Sequence, residues 1–195
     1  MAAETEFAIG ATASCDDGSC GEVSRMIVDP ATRTVTHLVI EPKHRRGSGR
    51  LVPLDLVDTT TGDIRLRCTL AEFDMLDPAE ETELLEDAGG MGLGGMAAPM
   101  GIPQPPATFV EDVVPLGEAE VGRGEPVHAL DGEIGQVRGF LVDPGDHRVT
   151  HVLLQEGHLW GRKEVAIPVS AVTGVQDGIR LNMTKKQIED LPSAH

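Results

Sequence analysis

The sequence is poor in aromatic residues and has no long apolar run. It contains no Tyr, one Trp and four Phe among 195 residues, so a hydrophobic core must be built mainly from Val, Leu and Ile. The most apolar window, residues 91–103, is interrupted by Gly and Pro and is too short to span a bilayer. The N-terminal residues include two Glu and no basic group, which is not typical of a secretory signal. We therefore expect no membrane span and a cytoplasmic location.

Positive charge is also scarce. The formal net charge is −16, and half of it comes from residues 77–116, which carry eight acidic and no basic side chains. Nucleic-acid binders present clustered Lys and Arg to the phosphate backbone, and neither half of the chain has such an excess. The composition excludes DNA as a partner and argues against RNA.

What the sequence does have is an internal repeat. The pattern of residues 10–44 recurs 114 positions later at 124–158, and one inserted residue then lengthens the interval to 115. The identical pairs before the insertion are Gly10 and Gly124, Gly21 and Gly135, Asp29 and Asp143, Pro30 and Pro144, Thr36 and Thr150, His37 and His151, and His44 and His158. A repeat of this length predicts a duplicated domain rather than a solenoid unit.

The repeat defines the predicted domain boundaries. We place the first domain at residues 6–80 and the second at residues 116–192, with a linker at 81–115 that is acidic and then rich in Gly, Met and Pro. Such a composition is typical of a flexible connector. The alternative is a docking segment, in which the Met side chains provide adaptable apolar contacts to a partner.

Each copy has the pattern of short antiparallel strands. Asp-Gly turn dipeptides lie at 17–18 and 131–132, and a Val-Asp-Pro sequence ends the following apolar run in both copies. Short, evenly spaced strands are typical of a small barrel or sandwich. Each copy then closes with a short helix, because Thr69 and Thr184 begin capping-box sequences. We also expect residues 80–88 to form a helical extension of the first unit.

Both copies resemble the PRC-barrel family. The resemblance rests on the order Asp-Gly-x-x-Gly-x-Val, Val-Asp-Pro and Val-Thr-His, followed by a Pro-containing strand, and residues 157–168 of the second copy match most closely. The resemblance implies an all-β fold with short terminal helices, in which two tandem small PRC-type β-barrels are arranged about a pseudo-twofold axis.

The resemblance implies no catalytic residue, because the family acts through protein contacts. The leading expectation is a non-enzymatic protein-interaction or adaptor module with an unidentified protein partner, and self-association is also compatible. Analogy with the ribosome maturation factor RimM would imply a ribosome or RNA-processing accessory. Analogy with the H subunit of photosynthetic reaction centres would imply an electron-transfer accessory. A further alternative is a ligand- or metal-binding protein that uses the surface between the barrels. We predict no cofactor.

The three Cys raise the possibility of a metal site. Four residues separate Cys15 from Cys20, a spacing that zinc sites tolerate, and Cys68 could complete the set. The second copy has apolar residues at all three positions, namely Ala129, Ile134 and Met183. Because free Cys behaves as a small hydrophobic residue, we interpret the three as core residues and predict no metal site.

The recurring His residues have two interpretations. His37, His151, His44 and His158 could form a symmetric metal site across the two barrels. Half-buried strand His residues bonded to loops, together with loop His residues, explain the same pattern, since duplication alone makes them recur. We favour the second interpretation.

Two matching loops form the predicted partner-binding surface. One holds the sole Trp between Gly residues, a setting often found for interface anchors, and its sister loop is the only basic cluster of the chain. The alternatives are solvated loops and a Trp that caps the barrel end. The predicted contact residues are His158, Leu159, Trp160 and Arg162, with His44, Arg45 and Arg46 in the sister loop.

Overall fold

The structure is a computed structural model that describes residues 4–43, 48–59, 63–84, 108–156, 164–175 and 177–191. It confirms the all-β prediction, because two seven-stranded sheets form two barrel-like units and the two described α-helices have five residues each. No helix in the described part of the chain is long and apolar enough to cross a membrane.

The two units contain equivalent strands in the same order. The strands before the linker are β1 (Thr5–Ala8), β2 (Thr12–Cys15), β3 (Gly18–Asp29), β4 (Thr34–Glu41), β5 (Arg50–Pro53), β6 (Val57–Thr59) and β7 (Ile64–Leu66), followed by helix α1 (Leu70–Asp74) and strand β8 (Glu80–Leu84). The remaining elements are β9 (Thr108–Asp112), β10 (Ala119–Gly122), β11 (Pro126–Ala129), β12 (Gly132–Val142), β13 (Val149–Glu156), β14 (Glu164–Pro168), β15 (Val172–Gly174), β16 (Ile179–Leu181) and helix α2 (Lys185–Glu189). The first sheet runs β5-β4-β3-β2-β7-β6 and the second runs β14-β13-β12-β11-β16-β15.

The long hairpins owe their turns to the Val-Asp-Pro sequences. Asp29 accepts hydrogen bonds from the Ala31 amide at 2.8 Å and from the Thr32 hydroxyl at 2.7 Å. The second copy repeats the turn, with the Gly145 amide donating to Asp143 at 2.7 Å. An Asp side chain that binds the amide two residues later holds the backbone in a turn.

The short helices begin where the capping boxes predicted. The Thr69 hydroxyl accepts from the Glu72 amide while the Glu72 carboxylate accepts from the Thr69 amide, and Thr184 makes the same exchange with Gln187. The amide and hydroxyl of Thr69 lower the pKa of Glu72, because they stabilise its carboxylate. Each helix buries one apolar residue against its unit, Phe73 in α1 and Ile188 in α2.

Each unit lends one strand to the other. Strand β1 pairs antiparallel with β12, joining Thr5 to Val142 and Ala8 to Gly139. Strand β10 lies 114 positions after β1 and pairs antiparallel with β3 of the first unit. In both sheets the lent strand covers the second half of the long strand, beyond the part covered by the unit's own β2 or β11. The two barrels are therefore joined by a reciprocal strand exchange.

The exchange has an approximate twofold axis near Thr34 and Arg148. These two residues form an antiparallel bridge, and they are equivalent positions of the repeat. The Val35 amide donates to the His147 carbonyl at 3.0 Å, and the equivalent Val149 amide donates to the Arg33 carbonyl at 2.9 Å. The predicted pseudo-twofold arrangement of the two units thus holds at the level of individual hydrogen bonds.

The two units share one hydrophobic core. A single cluster of packed apolar side chains extends from Phe7 and Val23 in the first half to Phe140 and Ile188 in the second. A smaller cluster lies on the other face of the first sheet and includes Ile27. A unit of about 70 residues is close to the lower size limit for an independent core, and sharing one core relieves this limit.

The helical extension expected at residues 80–88 is wrong over residues 80–84, and residues 85–88 lie outside the described residues. Residues Glu80–Leu84 instead form β8, which pairs with β9. The adjacent backbone is bonded on both sides, because the Ala79 amide donates to the Gly49 carbonyl and the Val113 amide donates to the Ala79 carbonyl. These long-range bonds hold the chain extended, so tertiary pairing overrides the helix preference of the Glu residues.

The predicted domain boundaries are a separate matter. Strand pairing does not test which residues form an independently folding domain, so the boundaries 6–80, 81–115 and 116–192 stay a prediction.

The exchange can be tested at Gly139. A Cβ atom there would lie 2.1 Å from the Phe7 carbonyl oxygen, so Gly139→Ala must displace β1. We expect this overpacking to lower the free energy of unfolding by about 1–3 kcal/mol, measured by denaturant titration. Gly174→Ala is the matched control, since a Cβ there meets nothing within 4 Å. Equal stability of the two variants would contradict the close approach of β1 to β12.

Candidate functional site

The predicted contact residues lie outside the described residues. These residues are His158, Leu159, Trp160, Arg162, His44, Arg45 and Arg46. The structure shows where the two segments that contain them are attached. One follows β4 and the other follows β13. Both strands are eight residues long, start at the pseudo-twofold axis and run in opposite directions. At about 3.3 Å per residue, the attachment points of the two segments are at most roughly 50 Å apart.

The two strand His residues each contact an acid that precedes a lent strand. His37 Nδ1 lies 3.9 Å from Glu118 Oε2, and His151 Nδ1 lies 3.7 Å from Glu4 Oε1. Glu4 and Glu118 are themselves equivalent positions of the repeat. The structure thus gives His37 and His151 separate carboxylate partners, and the described residues contain no cluster of three or more His, Cys, Asp or Glu placed to hold a metal ion.

The two Glu residues differ in how they are bonded. Glu118 also accepts a hydrogen bond of 2.6 Å from the Thr36 hydroxyl, and its side chain is 18% exposed. Glu4 is 41% exposed. A short hydrogen bond to a half-buried carboxylate contributes more than a contact between exposed side chains, so β10 is held more firmly than β1 at this point. The only sequence signal for these acids is their recurrence at the repeat interval.

The first unit has a second electrostatic contact with its lent strand, and it is centred on Arg25. The Arg25 guanidinium lies 2.9 Å from Glu80, 3.4 Å from Glu120 and 3.9 Å from Glu41, with its side chain 12% exposed. It therefore ties β3 to the lent strand β10, to β4 and to β8. The equivalent of Arg25 in the second unit is Gly139, which instead lets the β1 backbone approach closely.

The three Cys lie together in the core of the first unit. All are buried free thiols, and the Cys15 and Cys68 sulfur atoms are 3.9 Å apart. Burial raises the pKa of Cys15 to about 12 and that of Cys68 to about 11, and it also raises the pKa of Cys20. Removal from water disfavours the thiolate, so these side chains are protonated core residues.

A large cleft lies where the two units meet. We call it the open cleft; its volume is about 1170 Å³. The hairpin turn of the first unit and the segment leading into β10 form one side, and the second unit forms the other. Both apolar and charged side chains line it, among them Val28, Phe140, Val149, Val152, Val169, Val172, Ile179, Asp29, Arg33, Glu118, Glu120, Glu125, Asp177 and Arg180.

The pseudo-twofold axis places an equivalent cleft on the other side of the molecule. This closed cleft has a volume of only about 220 Å³. Its lining residues are Phe7, Leu54, Asp55, Val57, Asp58, Arg67, Val142, Pro144 and His147. Val142, Pro144, Leu54 and Val57 are the repeat equivalents of Val28, Pro30, Val169 and Val172 of the open cleft.

Several apolar pairs of the repeat differ in size. Phe7, Leu38 and Leu54 correspond to the smaller Val121, Val152 and Val169, whereas Met26 and Val52 correspond to the larger Phe140 and Ile167. Of these residues, Phe140, Val152 and Val169 line the open cleft, and Phe7 and Leu54 line the closed cleft. Sequence reasoning overlooked both clefts.

Comparison with known proteins supports the predicted family resemblance of the second unit. Residues 123–188 match the family model of the PRC-barrel domain. This match runs from β11 into α2 and includes the whole connection between β13 and β14. No curated protein matches the chain.

The Cys cluster gives a test of the core. Because the pKa of each thiol is raised, the thiolate is scarce at pH 8, and we expect none of the three to react with Ellman's reagent in the native protein. All three should react once the protein is unfolded in guanidinium chloride. Rapid labelling of the native protein would show that the cluster is accessible and would contradict its assignment to the core.

The two His–Glu contacts give a matched pair of variants. Glu118→Ala removes the acceptor of the Thr36 hydroxyl, and we expect it to lower the free energy of unfolding by about 2 kcal/mol. Glu4→Ala at the equivalent exposed position should change it by no more than about 0.5 kcal/mol. Chemical denaturation measures both values. Equal losses would mean that the hydrogen bond to Glu118 does not stabilise the exchange.

Proposed function

Because residues 123–188 form a PRC-barrel domain, we propose that this protein is a non-enzymatic interaction module that acts through protein contacts. This family match is the observation on which the proposal rests. The matched region includes the segment 157–163, which contains Trp160. The proposed contact surface is this segment together with its basic sister segment around Arg45 and Arg46.

The architecture supports an adaptor role. The strand exchange and the shared core fix the two units relative to each other. The two proposed contact segments attach at the far ends of β4 and β13, which run in opposite directions. A rigid body with two separated attachment points can hold two partners, or two copies of one partner, at a fixed distance.

The shifted pKa values in this protein have structural causes. Hydrogen bonds from Thr32 and the Ala31 amide lower the pKa of Asp29 within a turn, and Thr69 lowers that of Glu72 within a helix cap. Burial in the core raises the pKa values of the Cys residues. Each of these shifts therefore has a cause in a turn, a helix cap or the core.

Two further parts of the proposal concern compartment and nucleic acid. Three buried free thiols suit a reducing compartment, where disulfides are rare, and this supports a cytoplasmic location as part of the proposal. The lining of the open cleft includes five carboxylates and two guanidinium groups, and their net negative charge would repel a phosphate backbone. This charge balance favours a protein partner over RNA.

Trp160→Ala tests the proposed contact surface. Loss of a central aromatic anchor should reduce partner capture by about tenfold or more, measured by pull-down of the full-length protein from source cells with quantitative mass spectrometry. Leu130→Ala is the matched control, because Leu130 is an exposed apolar residue, 68% accessible, in the β11–β12 turn. It should capture the same partner as the wild type. No enriched partner with the wild type would contradict the proposal.

The sole Trp also reports on its own environment. Fluorescence quenching by acrylamide should be as efficient in the native protein as in the unfolded protein if Trp160 is available to a partner. Strong protection in the native protein, together with a lower Tm of Trp160→Ala, would show that Trp160 packs on the barrel. Arg162→Ala would then serve as the variant that probes the segment without disturbing the fold.

A further inference from the structure

All three Cys of the chain lie together in the first unit. Cys15 ends β2, Cys20 lies in β3 and Cys68 follows β7, and the three side chains are buried in the same part of the core. The equivalent positions of the second unit hold the apolar residues Ala129, Ile134 and Met183. The same fold therefore forms without sulfur, and the thiols add a chemistry that only the first unit has.

Cys15 and Cys68 are the pair placed to react with each other. Their sulfur atoms are 3.9 Å apart, and a disulfide bond of about 2.05 Å requires them to approach by about 2 Å. The backbone holds the pair in place, because the Asp16 amide donates to the Cys68 carbonyl at 2.9 Å and β2 runs parallel to β7. Cys20 is placed less well, since a bulge between β2 and β3 leaves it opposite no residue of β2.

Burial keeps this pair unreactive while the first unit is closed. The raised pKa values of Cys15 and Cys68 keep both thiols protonated. Helix α1 covers the pair, because it begins next to Cys68 and its Leu70 amide donates to Asp17 in the turn after Cys15. This helix has five residues and buries only Phe73, so it opens locally more easily than the sheets do. Oxidation of the pair follows this opening and is slow compared with labelling of an exposed thiol.

We propose that Cys15 and Cys68 are a redox-sensitive pair, which a low-molecular-weight disulfide oxidises to an intramolecular disulfide. Once α1 has opened, the Cys68 thiolate attacks the oxidant, forms a mixed disulfide and displaces one small thiolate. The Cys15 thiolate then attacks the Cys68 sulfur, forms the Cys15–Cys68 bond and displaces the second small thiolate. Two electrons pass from the Cys pair to the oxidant, and the two thiol protons end on the two small thiols released.

The disulfide ties β2 to the start of α1. The loop that it closes contains β3 to β7 and also residues 44–46 of the basic contact segment. A cross-link over 53 positions restricts the unfolded chain and so stabilises the folded first unit. Oxidation thus acts on one unit only, because the second unit has no Cys. The inference does not rest on the proposed protein-contact function, and either can fail without the other.

Glutathione disulfide tests the proposal on the reduced full-length protein. Over hours at pH 8 it should yield a chain lighter by two hydrogen atoms, with a Cys15–Cys68 cross-link in the non-reducing peptide map. The cross-link should raise Tm by about 5–15 °C, and dithiothreitol should reverse both changes. A cross-link to Cys20, a linkage between two chains, a cluster still reduced after a day, or a cross-link without a rise in Tm would overturn the proposal.

Three matched truncations identify the reacting pair. Cys15→Ala introduces the residue that the second unit has at Ala129, and it should abolish both the loss of two hydrogen atoms and the rise in Tm. Cys68→Ala should do the same. Cys20→Ala removes the third thiol and should form the cross-link at a rate within twofold of the wild type. Circular dichroism checks that each variant is folded. Persistence of the cross-link in Cys15→Ala, or its loss in a folded Cys20→Ala, would overturn the assignment of the pair.

The helix caps test whether opening of α1 controls access to the pair. Thr69 caps α1 in the first unit, and Thr184 caps α2 in the same way in the second. Thr69→Ala removes the cap, so α1 opens more often and the oxidation rate, followed by mass spectrometry, should rise about fivefold. Thr184→Ala is the matched control and should leave the rate within twofold of the wild type. Equal rates for the two variants would overturn the role of α1.

Discussion

The reciprocal exchange of β1 and β10 is the constraint on which the rest of the structure depends. The long strands β3 and β12 are each covered over only half of one edge by their own unit, and the lent strand covers the other half. Without the exchange, each unit would expose unpaired backbone and the apolar side chains of the lent strand, such as Phe7 and Val121, which are buried. The exchange thus completes both sheets and creates the single core in one step.

Pseudo-symmetry in the core coexists with asymmetry at the junction. The antiparallel bridge of Thr34 with Arg148 follows the twofold axis closely. Where each lent strand meets its long strand, however, one side uses the Arg25 ion pairs and the other uses close backbone contact at Gly139. Both contacts attach the lent strand to the long strand, but by different means. The Arg25 guanidinium bridges separate strands, whereas Gly139 has no side chain that would keep the strands apart.

The features that were predicted correctly from the sequence are those that depend on interactions between residues close together in the chain. Turns at Asp29 and caps at Thr69 follow from hydrogen bonds within a few residues, and the repeat itself indicated two units of one topology. The strand exchange was not predicted, because β1 is only four residues long and its partner lies more than 130 positions away. The helix expected at residues 80–88 was wrong at 80–84 for the same reason. Backbone hydrogen bonds of the preceding Ala79 with Gly49 and Val113 hold this part of the chain extended. The predicted loop residues around Trp160 stay a prediction.

A shared core also relaxes the constraint on each unit. Replacing a buried Leu by Val removes one methylene and costs about 0.8 kcal/mol of hydrophobic stabilisation. In an isolated unit of about 70 residues, losses of this size, such as the difference between Leu38 and its repeat equivalent Val152, would take a large fraction of a marginal stability. In the joined molecule the same losses are carried by one core to which both units contribute. Duplication with strand exchange thus lets the two units diverge in core composition while the shared core maintains the fold.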